Sequence, residues 1–317
     1  MMNPRYTLVI PHYNQPQKLG RLLQSVPMRD DLQVVVADDG SEASFGGALM
    51  ALQVEYPQVE FLLLPKNKGG GAARNAALQM AKGDYVLFAD ADDAFVTEAL
   101  NGLLDKYANE DFDLLGFNAI AVEEDTGVPS ARTDRLNWMM IQPKNERERL
   151  LRYLHSEPWC KLIRRELLVE WGIRFDETPM MNDVRFSYLV GHYARRVVVE
   201  NSVCYCIYNN VNSVGKTMSP QRKRAYTQVM VQANRFFRQH GLPYCYKRAY
   251  RPLVFSLLKG QWRDAAACVA ELKTVGESGL SIGWNVCLYP LWLVRWALRR
   301  RCYCKARLVV DVKNGDV

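Results

Sequence analysis

Short apolar runs alternate along the first third of the chain with longer segments whose apolar residues recur at helical spacing. The runs Tyr6–Ile10, Gln33–Ala37, Val59–Leu64, Tyr85–Ala89 and Asp113–Phe117 predict strands. The segments Gln17–Val26, Gly47–Tyr56, Gly71–Lys82 and Val96–Tyr107 predict helices between them. Strands joined by helices of roughly ten to fifteen residues imply crossover connections and a mostly parallel sheet. The pattern therefore predicts a Rossmann-like α/β layer, which takes ligands beyond the C-terminal ends of its strands. Polar residues gather at those ends: Tyr13 and Asn14, then Asp38 and Asp39, then Asp90 and Asp92.

The pattern loosens after Ala121. Glu123–Asn137 is polar, contains Gly127 and Pro129, and reads as a hairpin or mobile loop. Asn145–His155, Lys161–Trp171 and Asn182–Ala194 predict helices, and Arg196–Glu200 and Val203–Tyr208 predict short strands. From Ser219 onward the pattern is helical and rich in basic residues. A boundary near 218 thus separates an α/β domain, 1–218, from a mainly helical basic region, 219–317.

Composition adds charge asymmetry. The 317 residues carry a net +7, but residues 1–218 hold 23 Lys+Arg against 29 Asp+Glu, while 219–317 hold 18 against 5. Such a split points to a polyanion or an anionic membrane surface as a contact of the C-terminal part. No nucleic-acid-binding motif accompanies it, so nucleic acid is not expected. Within 280–301, tryptophans and Tyr289 lie beside Arg295, Arg299, Arg300 and Arg301. Pro290 and Arg295 break the run as a spanning helix, and the mixture suits a membrane interface or a helix packed on the catalytic part. The run Tyr6–Ile10 is too short for a signal peptide, so the N-terminal part reads as cytoplasmic. None of the eight cysteines forms a Cys-x-x-Cys pair, and they read as reduced apolar positions.

Three stretches carry chemistry. Gly83–Phe95 delivers Asp90, Asp92 and Asp93 at the end of one strand. Carboxylates so crowded repel one another unless a cation joins them, and hard oxygen ligands suit Mg²⁺ or Mn²⁺ carrying phosphate. Asp38-Asp39-Gly40-Ser41 offers acceptors for a nucleobase or ribose, or equally a turn with a helix cap. Asn67-Lys68-Gly69-Gly70-Gly71 opens a helix whose N-terminus favours anions, with Arg74 one turn in to hold a phosphate oxygen.

Taken together, Pro11-His12-Tyr13-Asn14, Asp38-Asp39-Gly40-Ser41, Ala73-Arg74-Asn75, Gly83-Asp84-Tyr85, Asp90-Ala91-Asp92-Asp93, Pro158-Trp159-Cys160-Lys161-Leu162 and Asn182-Asp183 resemble, in order and spacing, the family-2 inverting glycosyltransferases. That resemblance implies a GT-A fold over about residues 5–215. It implies a sugar transfer from a nucleotide diphosphate sugar, most simply a UDP-sugar, to a glycan or lipid-linked acceptor in surface polysaccharide synthesis at the inner face of the cell membrane. It further implies that Pro11, Tyr13 and Asp39 line the base pocket, that Asn14, Arg74 and Asn75 stand near the nucleotide, and that Asp90 approaches the ribose. Asp92 would bind Mn²⁺ or Mg²⁺, Asp183 would be the catalytic base, and Trp159 and Lys161 would flank the acceptor. Two positions depart from the family pattern: Asn182 stands where a glutamate is usual, and Cys160 where asparagine is frequent. A nucleotidyltransferase or a non-catalytic nucleotide-sugar binder are the alternatives. The glycine-rich signature of the former belongs near the first strand, which here ends in Pro11-His12-Tyr13-Asn14.

Overall fold

The run Val34–Ala37 is apolar at consecutive positions, and the strand around it, Leu32–Asp38, is buried along its whole length, as strands covered on both faces must be. The computed structural model describes residues 4–209, 219–242, 250–274 and 276–307. Within them the chain runs β1 (Tyr6–His12), α1 (Pro16–Ser25), β2 (Leu32–Asp38), α2 (Gly46–Glu55), β3 (Val59–Leu63), α3 (Gly70–Met80), β4 (Tyr85–Phe88), β5 (Ala94–Phe95) and α4 (Thr97–Lys106). It continues through β6 (Leu114–Glu123), α5 (Asp134–Met140), α6 (Lys144–Tyr153), β7 (Lys161–Arg164), α7 (Arg165–Glu170), α8 (Val184–Tyr193) and β8 (Val197–Asn209). Four helices follow: α9 (Pro220–Gln239), α10 (Arg251–Leu258), α11 (Trp262–Thr274) and α12 (Gly279–Cys304).

The strands form one sheet in the order β3-β2-β1-β4-β7-β6-β8-β5. Pairing is parallel through β3, β2, β1 and β4 and again between β6 and β8. It is antiparallel where β7 inserts between β4 and β6, and where β5 closes the far edge against β8. Because β1, β2 and β4 run in one direction, the turns after His12, Asp38 and Phe88 emerge together at one edge. That edge is where the sequence placed its polar clusters.

Three local expectations need correction. Lys161–Trp171 is not one helix: Lys-Leu-Ile-Arg forms β7, and only Arg165–Glu170 is helical. An apolar run this short carries no period, and the gap between β4 and β6 decides it. Arg196–Glu200 and Val203–Tyr208 are a single strand, β8, whose register slips opposite Gly116 and Asn118. In Glu123–Asn137 a turn with Gly127 at positive φ is closed by a Val122–Pro129 bridge, but α5 already begins at Asp134.

The expected boundary at 218 lies outside the described residues. Helices α9–α12 do not enclose a core of their own. Tyr226, Met230, Phe237 and Leu253 pack in one cluster with Tyr153, Val184 and Tyr188 from α6 and α8. The described cysteines are all unpaired.

Candidate active site

The acidic turn after β4 is held from two sides. The Tyr205 hydroxyl on β8 accepts the Asp90 N–H (2.9 Å) and donates to Asp93 Oδ2 (2.8 Å). The Tyr208 N–H donates to Asp93 Oδ1 (3.2 Å). From α1, Arg21 donates to the Asp92 carbonyl and lies 3.8 Å from the Tyr208 ring centroid. Asp93 is 3% exposed, and burial, then the charges of Asp92 and Asp90, push its carboxyl well above the usual range. Asp92 is raised as well, by burial first and the Asp90 charge second. Asp93 therefore serves as the buried strut of the turn, while the Asp92 carboxylate has only its own backbone N–H as donor among the described residues.

The glycine-rich loop is fastened by the second acidic pair. Asp39 accepts the N–H groups of Lys68 (2.9 Å) and Gly69 (2.7 Å) on its two oxygens. Asp38 accepts from Ser41 and from His12 (2.7 Å). Since His12 Nε2 accepts the Gln15 N–H, its Nδ1 is the donor to Asp38. Asn14, at φ 54°, exchanges side-chain hydrogen bonds with Glu42 and so ties the first turn to the second. Asp39 and Asn14 thus shape the rim, whereas Tyr13 is exposed on it. Pro11, half-buried near the end of β1, lies on the same rim.

Arg74 joins the two halves of the site. One turn into α3, its Nη2 donates to Asp90 Oδ1 (2.5 Å) and its Nη1 to Asn182 Oδ1 (3.3 Å), while the guanidinium lies 5.4 Å from the Phe175 ring centroid. Its Nε is buried and has no acceptor among the described residues. Asn75 does something sequence reasoning missed: its amide donates to the Phe175 carbonyl (3.0 Å) and accepts the Phe175 N–H (2.9 Å). It clamps the segment leading to Asn182-Asp183 instead of facing a nucleotide. Gly71 completes the fit, because a Cβ there would meet the Asp176 carbonyl at 2.2 Å.

Asp183 precedes the first turn of α8 beside this assembly, without a side-chain capping bond. Burial, followed by the charge of Glu157, raises its carboxyl from 3.8 to about 6, with Arg74 opposing. Trp159 and Lys161 do not flank an open cleft. Lys161 is 1% exposed and donates to the carbonyls of His155 (2.6 Å) and Glu157 (2.8 Å) and to Ser187 Oγ (3.2 Å). Burial draws it down to about 7 against the charges of Glu157 and Asp183. Glu157, despite its burial, is held below the ordinary range by Arg135, which donates to both its oxygens. Trp159 is stacked 5.8 Å from Tyr205 and edge-on to His155. These residues form a buried cradle beneath the Asp183 end of α8. Tyr205 carried no sequence signal because its partners Asp90 and Asp93 are distant in the chain, and nothing in the sequence marked His155 or Glu157.

The family model for glycosyl transferase family 2 matches residues 7–172, just over half of the chain. The chain belongs to glycosyl transferase family 2. EpsH of Bacillus subtilis is 25% identical over 224 residues, covering 68% of this chain and 63% of EpsH. The teichoic acid poly(glycerol phosphate) polymerase of Staphylococcus epidermidis is 24% identical over 177 residues, 55% of this chain but only 24% of that protein. The matches thus span less than two thirds of these family-2 relatives. Among solved structures, Staphylococcus aureus TarS 1–349 in complex with UDP-GlcNAc superposes with a TM-score of 0.58 at 20% identity, over 85% of this chain and 92% of that one. A Pyrobaculum calidifontis mannosyltransferase in complex with GDP-Man and Mn²⁺ gives 0.53 at 20% identity, over 96% and 86%. The family-2 chain therefore has the GT-A fold.

Family membership sharpens the sorting of residues. Asp90, Asp92, Arg74 and Asp183 come together at one sheet edge, linked by contacts or by their mutual charges. Asp39, Asn14 and Asn75 support that edge. Among the described residues no three His, Cys, Asp or Glu side chains converge to enclose an ion. A cleft at the opposite edge, lined by Arg5, Asp84, Arg164 and Arg165, has two of its cations engaged within the chain, Arg164 on Asp113 and Arg165 on the Gly83 carbonyl.

Proposed function

We propose that this protein is an inverting glycosyltransferase that moves a sugar from a nucleotide diphosphate sugar, a UDP-sugar, to a lipid-linked glycan acceptor in surface polysaccharide synthesis. The observation that carries the reading is a carboxylate raised to about 6, Asp183, separated only by Arg74 and Asn182 from an acidic turn with an unengaged Asp92. One end of that arrangement suits a diphosphate, the other an acceptor hydroxyl. The names of relatives agree: a Campylobacter jejuni protein 30% identical over 112 residues is a GalNAc(5)-diNAcBac-PP-undecaprenol beta-1,3-glucosyltransferase. An acceptor on a lipid would place the reaction at the inner face of the cell membrane.

In this reading Tyr13 stacks on the base, Pro11 and the loop held by Asp39 shape its pocket, and Asp90 takes a ribose hydroxyl. The N-terminus of α3 and Arg74 receive the diphosphate, whose negative charge grows as the bond to the sugar breaks. Asp183 removes the acceptor proton as that oxygen attacks the anomeric carbon from the opposite face, so the configuration inverts. Mn²⁺ or Mg²⁺ fits the donor set, because such ions are held by one or two carboxylates together with substrate phosphates, and no all-protein cage is required. When bound, the ion supplies charge neutralisation at the leaving diphosphate.

The test is thermal stabilisation by UDP-sugars with and without Mn²⁺. At a ligand concentration a hundred times Kd the folded state gains about 2.7 kcal/mol. We expect stabilisation to need sugar nucleotide and ion together, and to vanish in Asp92→Ala or in EDTA. Stabilisation undiminished in both would remove Asp92 and the ion from the donor site.

A further inference from the structure

Helix α12 is apolar on the side that faces solvent as well as on the side that packs. Its inner face contributes Ile282 and Tyr289 to the helical core. On its outer face Leu280, Trp284, Leu291, Val294 and Leu298 are 89%, 68%, 62%, 59% and 56% exposed, with exposed Cys287 completing the row. These positions follow one another at steps of four and three, so they form a continuous stripe along the helix. Between Glu277 and Arg299 the only charged residue is Arg295. A water-facing apolar helix surface of this length with a single charge along it marks a docking surface.

We infer that this stripe lies in the plane of a bilayer surface carrying anionic headgroups. Two observations choose that occupant over a second copy of the chain. First, the stripe runs into the exposed Arg299, Arg301 and Lys305, and no Asp or Glu occurs between Glu277 and Asp311. A paired α12 would bring cations against a surface with no carboxylate, whereas anionic lipid complements them. Second, the stripe sets the exposed Trp284 among aliphatic side chains leading to that cationic end, the composition of a helix lying along a membrane interface. The helix is also fixed to the catalytic part. Arg307 forks onto both oxygens of Asp134 at 2.7 Å, and the Tyr303 ring lies 5.0 Å from that of Trp138. Asn137, on the same helix α5, donates to the Ala119 carbonyl in β6 (2.7 Å). Docking of α12 therefore fixes the orientation of the sheet to the membrane. This inference stands independently of the proposed sugar transfer.

The experiment is flotation of the full chain with vesicles of phosphatidylcholine alone or mixed with phosphatidylglycerol. The chain floats with the mixed vesicles and not with the neutral ones, and high salt releases it. Trp284→Glu with Leu291→Glu abolishes flotation, while Arg299→Gln and Arg301→Gln weaken it about fivefold each. The milder pair Leu280→Gln and Leu298→Gln, with an unfolding midpoint matching the parent, gives the same direction of effect if the glutamates disturb folding. Flotation unchanged in the glutamate variant, or absent in the parent, overturns the inference. So does a sedimenting dimer that the same substitutions convert to monomer. Nucleotide-sugar stabilisation measured on the same preparations keeps failure of the catalytic reading separate from failure of this one.

Discussion

Replacing Asp183 with asparagine should raise stability while it removes activity. The carboxyl is lifted from 3.8 to about 6 by burial and by Glu157, so its ionised form is disfavoured in the folded state. At 1.36 kcal/mol per pK step the cost at neutral pH is about 3 kcal/mol. The side chain keeps partial contact with solvent, which reduces this to about 1–2 kcal/mol. The sign follows from proton binding: between pH 3.8 and about 6 the folded chain holds a proton that the unfolded chain has lost. Stability therefore falls as pH rises through that window and stays lowered above it. The amide of an asparagine side chain carries no charge to desolvate, and Asp183 makes no side-chain capping bond to α8 that the substitution would lose. Differential scanning calorimetry at neutral pH should show a midpoint about 1.5–3 °C higher. Transfer should fall roughly 10²–10⁴-fold, the contribution of a positioned base. In the parent, transfer at pH 5 should be about tenfold below its plateau, following one protonation near 6. An Asp183→Asn variant that turns over normally, or that is less stable while the parent profile stays flat to pH 5, would refute the reasoning.

Two further pairs of substitutions probe the frame of the site. Gly71→Ala puts a methyl 2.2 Å from the Asp176 carbonyl, so it should cost about 1–3 kcal/mol and weaken donor-dependent stabilisation. Gly102→Ala, an exposed position inside α4 with nothing within 4 Å, should instead stabilise by about 0.5–1 kcal/mol in urea melts. Cys160 is buried at φ 60°, a region that asparagine tolerates and β-branched residues do not. Cys160→Asn should match or exceed the parent midpoint, its amide within reach of the Asn118 carbonyl 4.0 Å from Sγ, whereas Cys160→Val should lose about 1–3 kcal/mol; equal midpoints would sink the argument.

The first half of the sheet was legible because β1, β2 and β4 are buried runs bounded by turns, and their polar residues can emerge only at the strand ends. Asp90 and Asp92 were expected at this edge for that reason and Arg74 from the glycine-rich opening of α3, and the structure brings the three together. Residues acting across long sequence separations were not legible. Tyr205 holds Asp90 and Asp93 from more than a hundred positions away, and Asn75 reaches Phe175 over a similar gap. Lys161 was expected beside the acceptor cleft from the family resemblance alone. Its three acceptors, two of them carbonyls in the turn that precedes it, bury it instead. The strand β7 escaped because four apolar-rich residues have no period, and only the vacancy between β4 and β6 assigns them.

The two departures from the family pattern acquire physical content in the same way. Cys160 occupies a backbone conformation that explains why asparagine is frequent there. Asn182 accepts from Arg74 through a neutral oxygen, 3.3 Å from Nη1. A glutamate in its place would confront the guanidinium with two carboxylates and leave less of its charge for a diphosphate. It would also stand next to Asp183, where the charges of Glu157 and Asp90 already raise the carboxyl. A third anion would raise it further. The neutral amide thus leaves Arg74 with one carboxylate partner, Asp90, and adds no further anion beside Asp183.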